Sequence, residues 1–233
     1  MRLELDALCN EIARNSVLKV VILTGEGRGF CAGGDLTSEG AVLGAFEGSR
    51  HRVLQSAMRK LEDLPQPTIA AVNGPAVGVG LEMTTLCDMR LASDRARFGE
   101  VAVPAGFVPE SGGSRNLPKL VGIGRAMRLI LTGEIIDAQE ALRIGLVDEV
   151  VPHEELMEQA FSLAGKIAAN PYLSVAPQRA ADQMYWQLAT GDRRDRAIAR
   201  AGGVRSRRST STKDCQKACG RSRKASRPTT HIP

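Results

Sequence analysis

With 233 residues, 43% of them apolar but only 3% aromatic, the chain is long enough to bury one large core and too poor in aromatic side chains to offer a stacking platform for nucleic-acid bases. The net charge of +5 sits at one end: residues 201–233 hold nine Lys or Arg against one Asp, which leaves residues 1–200 at −3, so the body has no electrostatic reason to bind nucleic acid. No apolar run approaches the roughly 18 residues of a membrane span, and the acids within Met1-Arg2-Leu3-Glu4-Leu5-Asp6 are unlike a signal peptide, so a soluble, cytoplasmic protein is expected.

Leu3, Leu5, Leu8, Cys9 and Ile12 recur at roughly helical spacing and predict an amphipathic helix over residues 3–14. A buried strand is expected from Lys19 to Thr24, followed by the turn Gly25-Glu26-Gly27-Arg28-Gly29. That run departs from a dinucleotide-binding fingerprint, because Phe30 stands where the third glycine belongs and no helical pattern opens there. The glycine-rich stretch Phe30-Cys31-Ala32-Gly33-Gly34-Asp35-Leu36 comes next, then a long amphipathic helix over residues 41–63, ended by Pro65 and Pro67. A strand from Thr68 to Val72 leads into a second such stretch, Asn73-Gly74-Pro75-Ala76-Val77-Gly78-Val79-Gly80-Leu81-Glu82, with a helix from Leu81 to Cys87 and a strand from Met89 to Ala92 after it. Each glycine stretch bares backbone at the carboxyl end of a β-branched strand, and two such ends are able to aim two N–H groups at one oxygen.

From Phe98 to Leu120 the sequence reads as a loop, with Pro104, Gly106, Pro109, Gly112, Gly113 and Pro118, and irregular backbone of that length is usually functional. Helices are predicted over Ile123 to Leu131 and over Ala138 to Ile144, the latter with Asp137 as N-cap and Glu140 three residues on. Val147 to Val151 is a short strand, Glu154 to Ala169 an amphipathic helix broken at Pro171, and a further helical stretch runs toward Arg200. The alternation indicates α/β layering. Beyond Ala201 the chain is polar and basic without periodicity, so disorder is expected there. Cys9, Cys31, Cys87, Cys215 and Cys219 fit reduced thiols better than a disulfide framework, and Cys215, Cys219 and His231 lack the further ligands that zinc needs; no metal is expected.

Val20 to Leu36 resembles the first oxyanion segment of the crotonase, or enoyl-CoA hydratase/isomerase, family almost letter for letter, and Ala71 to Glu82 resembles the second. Cys87-Asp88-Met89-Arg90-Leu91-Ala92, Leu131-Thr132-Gly133, Ala138-Gln139-Glu140-Ala141 and Gly145-Leu146-Val147-Asp148 are similar to later parts of the same family, so the resemblance covers roughly residues 3–200. It implies an α/β fold of the crotonase (ClpP-like) type, a spiral of ββα repeats with a helical C-terminal part, assembled as a homotrimer or hexamer. It also implies a domain over residues 1–200, whose first strands fall before Met1, and a tail over 201–233 that is foreign to the family and reads as a shifted frame, with an RNA- or membrane-surface appendage as the alternative.

Carried over by position, the resemblance makes the backbone N–H groups of Gly34 and Val79 the donors to a thioester oxygen, with Ala32, Asp35, Leu36 and Gly78 beside the substrate. Coenzyme A enters as part of that acyl-CoA substrate, and no separate cofactor is implied. Val79 occupies a position where the family usually has a smaller residue, so its side chain must point away and narrow the pocket. A hydratase of this family holds water between two glutamates; the first matches Glu82, but the second falls at Ala102, and Glu100, two positions earlier, is expected to point elsewhere. An acid stands instead after Pro109, where several isomerases of the family look similar. The resemblance therefore favours double-bond isomerisation with Glu110 as proton shuttle and Glu82 assisting. Hydration, or a degenerate acyl-CoA-binding subunit, are the alternatives.

Plainer roles stand beside these. Glu110 is placed to cap a helix beginning near Gly112, and Glu82 to serve the dipole of its own helix. Ser111 lacks the Gly-x-Ser-x-Gly setting of a nucleophile, His51 and His153 read as helix-face or loop residues, and Cys31 reads as a small packed residue.

Overall fold

A computed structural model of the chain describes residues 2–34, 49–106, 108–109, 111–172 and 174–181. Asp35, Leu36 and Glu110 lie outside the described residues, as do the first part of the helix expected over 41–63, the stretch from 182 toward Arg200, and the tail over 201–233.

Four strands form a parallel sheet: β1 (Val21–Thr24), β2 (Thr68–Val72), β4 (Met89–Ser93) and β7 (Glu149–Val151), in the order β1-β2-β4-β7. Every residue of the inner strand β2 is buried, because both faces of the sheet are covered. Ile69, Ala71 and Leu91 face Leu156 and Ala160 of the helix Leu156–Ala168, while Ala70, Val72 and Ala92 face the larger core that holds Leu81, Phe98, Leu117 and Leu146. That two-residue alternation is why β2 reads as a continuous apolar run instead of an alternating one.

A second sheet joins three short strands, β3 (Pro75–Val77), β5 (Arg97–Gly99) and β6 (Ile135–Asp137), β3 parallel to β5 and β6 antiparallel to it. Cys31 extends this sheet by a parallel bridge to Ala76. The chain thus climbs in ββα turns, β2–β3 followed by the helix Val79–Leu86 and β4–β5 followed by the helix Gly113–Val121, each long strand handing over to a short one that stacks on its predecessor. This is the α/β spiral expected. The helix Arg2–Arg14 packs on the helix Ser49–Glu62 through buried Cys9 and an ion pair from Lys60 to Asp6 at 2.7 Å.

The loop expected from Phe98 to Leu120 is corrected at both ends. Phe98 and Gly99 belong to β5, and Gly113–Val121 is a helix despite Pro118 within it. The proline removes one helical donor, but Leu117 and Val121 are buried in the larger core, and that burial outweighs the local penalty.

Asp137 caps the helix Ala138–Arg143 as expected, its Oδ1 accepting from the Glu140 N–H at 2.8 Å. Glu140 does not reciprocate; its carboxylate binds Arg143. Asp137→Ala is accordingly expected to cost about 1 kcal/mol, read as a lower urea midpoint with an unchanged slope. Among the described residues, no helix is long and apolar enough to cross a membrane.

Candidate active site

The two glycine stretches are brought together by backbone. Phe30 and Cys31 both donate their N–H to the Pro75 carbonyl at 3.0 Å, and the Val77 N–H donates to the Cys31 carbonyl at 2.9 Å. The turn Gly25–Gly29 is held from the second stretch by Asn73, whose Oδ1 accepts from Gly25 N at 3.1 Å and whose Nδ2 donates to Gly27 O at 3.0 Å. Glycine is required at close approaches in both stretches. A Cβ on Gly80 would overlap the Cys31 carbonyl oxygen, and Gly33, at φ +92°, would carry one only 2.8 Å from the Val77 carbonyl oxygen.

Val79 opens the helix Val79–Leu86, and Gly78 before it adopts φ 54° without a side-chain cap. First-turn N–H groups have no partner within their own helix. Neither the Val79 N–H nor the Gly34 N–H donates to another group among the described residues. The Val79 side chain packs against the larger core. Of the other residues expected beside a substrate, Ala32 is exposed and Gly78 half-buried, next to these amides.

Glu82 lies one turn along the helix and is 2% exposed. Its carboxylate accepts from the N–H of Ser111 at 3.2 Å and of Gly113 at 3.1 Å. Standing in the first turn of its own helix, it thus also serves the N-terminus of a second one, Gly113–Val121. Gly113 is close enough that a Cβ there would stand 2.7 Å from Glu82 Oε1. The amide of Ser111, the residue after Glu110, is thus fixed on Glu82. Pro109, the residue before Glu110, is half-buried and faces Gly113.

Glu100 corrects the expectation that it points elsewhere. It follows β5 directly, is 1% exposed, and feels the charge of Glu82. Burial first, then that neighbouring charge, push its carboxyl up to about 8, against a smaller lowering by the Ala102 N–H. Helix and strand end are tied at this point by the Gly78 N–H donating to the Gly99 carbonyl at 2.8 Å.

Other candidates fall away from this centre. His153 N–H binds Asp94, and its ring Nδ1 stands 3.3 Å from Ser93 Oγ, so it does not serve Ser111. Cys31 is half-buried against the larger core. A cleft of about 960 Å³ bordered by Glu62, Cys87, Asp88, Arg115, Lys119 and Arg179 contains none of the residues above. Its Arg115 is paired with Glu62 and its Arg179 with Asp88.

The sequence model of the enoyl-CoA hydratase/isomerase family matches residues 1–201. The chain is 45% identical over 174 residues to a short-chain-enoyl-CoA hydratase of Clostridium acetobutylicum, covering 74% of this chain and 66% of that protein. It is 39% identical over 181 residues to a crotonyl-CoA hydratase of Syntrophomonas wolfei, covering 77% and 69%. The chain thus spans about two thirds of the length of these relatives. Among solved structures, a monofunctional enoyl CoA isomerase from M. smegmatis superposes with a TM-score of 0.69 at 33% identity, covering 80% of each chain. An enoyl-CoA hydratase from Bacillus anthracis superposes with a TM-score of 0.73 at 34% identity, covering 98% of this chain and 87% of that one.

Proposed function

The chain belongs to the enoyl-CoA hydratase/isomerase family, and on that premise we propose that it shifts a double bond within an enoyl-CoA thioester, with Glu110 carrying the proton. The observation that carries this reading is Ala102: the position expected to hold the second water-binding glutamate has no functional group, while an acid stands at Glu110. Removing a proton from the carbon between thioester and double bond leaves a dienolate, with negative charge on the thioester oxygen. Returning that proton to the far carbon of the alkene moves the double bond into conjugation. One carboxylate suffices for both transfers and no water is consumed.

In this reading the Gly34 and Val79 N–H groups receive the developing oxyanion, and Glu82 fixes the amide of Ser111, the residue after Glu110. Loss of one such donor typically raises the barrier by about 3–4 kcal/mol. Asp35, Leu36, Ala32 and Gly78 belong to the same proposal as neighbours of the acyl group. So does assembly as a homotrimer or hexamer, supported by the exposed apolar row Ile123, Met127 and Leu131 along the helix Ile123–Thr132.

Hydration is the second reading, favoured by Glu100: beside Glu82 it restores two carboxylates to the site, though not at the family's usual position. Purified protein given a 3-enoyl-CoA should form the conjugated 2-enoyl-CoA, followed by the rise in absorbance of the conjugated thioester. Given a 2-enoyl-CoA it should add little water. Fast hydration without isomerisation would refute the first reading in favour of the second. Tight acyl-CoA binding without either turnover would mark the chain as a binding subunit.

A further inference from the structure

Glu82 and Glu100 stand in one buried site but are provided for unequally. The oxygens of Glu82 accept two backbone N–H groups, from Ser111 and Gly113. Glu100 Oε2 has no hydrogen-bond partner among the described residues, and the N–H acting on its carboxyl is that of Ala102. An ionised carboxylate is acceptor-only and pays heavily for lone pairs left bare in a dry site, whereas its protonated form is neutral there. Two negative charges side by side add to that cost.

We propose that Glu100 holds a proton at neutral pH beside Glu82, so that this buried site does not carry a second negative charge. The N–H groups of Ser111 and Gly113 suit the charged form of Glu82 better than the neutral one. Glu100 is then a positioning residue acting through Glu82, and its purpose rests on the enolate reading above: a second fixed negative charge would oppose the one that develops on the thioester oxygen.

The surroundings of Glu100 fit this assignment. Glu82, on the helix Val79–Leu86, is the charged group acting on it among the described residues. Glu134, on the segment that passes Gly99 into β6, turns its carboxylate to Arg128 at 2.8 Å. The turn Val101-Ala102-Val103-Pro104-Ala105 brings no titratable side chain. Burial and Glu82 together push Glu100 to about 8, so Glu100 holds its proton at neutral pH and loses it on the alkaline side.

Nuclear magnetic resonance of protein labelled at the glutamate carboxyl carbon tests this directly, the resonance missing in Glu100→Gln identifying Glu100. It should titrate near 8, and Glu82→Gln should move its midpoint downward by removing the neighbouring charge. A Glu100 resonance already ionised at neutral pH, or a midpoint unmoved by Glu82→Gln, would overturn the proposal. Should Glu100→Gln fail to fold, the wild-type urea midpoint supplies the second reading. A carboxyl raised on folding contributes stability that is complete below its unfolded value of 4.5 and is lost as pH rises through about 8. A urea midpoint flat across that window would also overturn it.

In turnover, wild type should lose isomerisation above about pH 8, and Glu100→Gln should abolish that alkaline limb. If the resonance titrates as expected while no enoyl-CoA is turned over at any pH, the protonated Glu100 stands and the isomerase reading falls.

Discussion

Glu110→Gln is expected to lower kcat for double-bond migration by about 10²–10⁴-fold while leaving KM and the far-ultraviolet circular dichroism close to wild type. Glutamine keeps the size and polarity of the side chain but has no proton to exchange at the pH of the reaction. An interaction made only as the proton moves shows in kcat and not in KM. The placement of the flanking residues supports the choice: Pro109 packs by Gly113, and the Ser111 amide is fastened to Glu82. A helix-capping role would give a different result, a stability loss of about 1 kcal/mol with turnover retained. If Glu110→Gln turns over like wild type and Glu82→Gln does not, the proton shuttle is Glu82.

Gly80→Ala is expected to be the most damaging single-methyl change in the site. The new Cβ would overlap the Cys31 carbonyl oxygen and stand 2.8 Å from the Cys31 carbonyl carbon, and both are main-chain atoms that no rotamer change can withdraw. Overpacking of this kind costs about 1–3 kcal/mol of stability. The displacement would fall between the segments that carry Gly34 and Val79, where misplacement by about 1 Å is enough to cost roughly 10²-fold in rate. Thermal unfolding and kcat measured on the same preparation should both fall. Gly165→Ala, in the helix Leu156–Ala168 with open space around the new methyl, is the control and should lose neither. Equal behaviour of the two variants would mean that the glycine stretches are not packed as described.

Long elements could be read from the residues because their signals are local. The helix Ile123–Thr132 shows its period within its own residues, β2 its unbroken apolar run, and Asp137 its cap three residues before Glu140. The second sheet could not be read in this way. Its strands are three residues each, too short for any period, and they exist because Pro75–Val77, Arg97–Gly99 and Ile135–Asp137 find one another across long separations. The helix Gly113–Val121 is similar, since its Pro118 argues locally for a loop and only burial of Leu117 and Val121 argues against one.

The sequence by itself determined the family of the chain, the two glycine stretches and the substitution at Ala102, because each is carried by residue types at fixed spacing. Tertiary structure alone decided the company of the carboxylates: that Glu82 serves the amides of Ser111 and Gly113, and that Glu100 is buried within reach of its charge. A side chain's protonation depends on the dielectric and charges around it, and here those come from segments up to 31 residues apart, which no local pattern records.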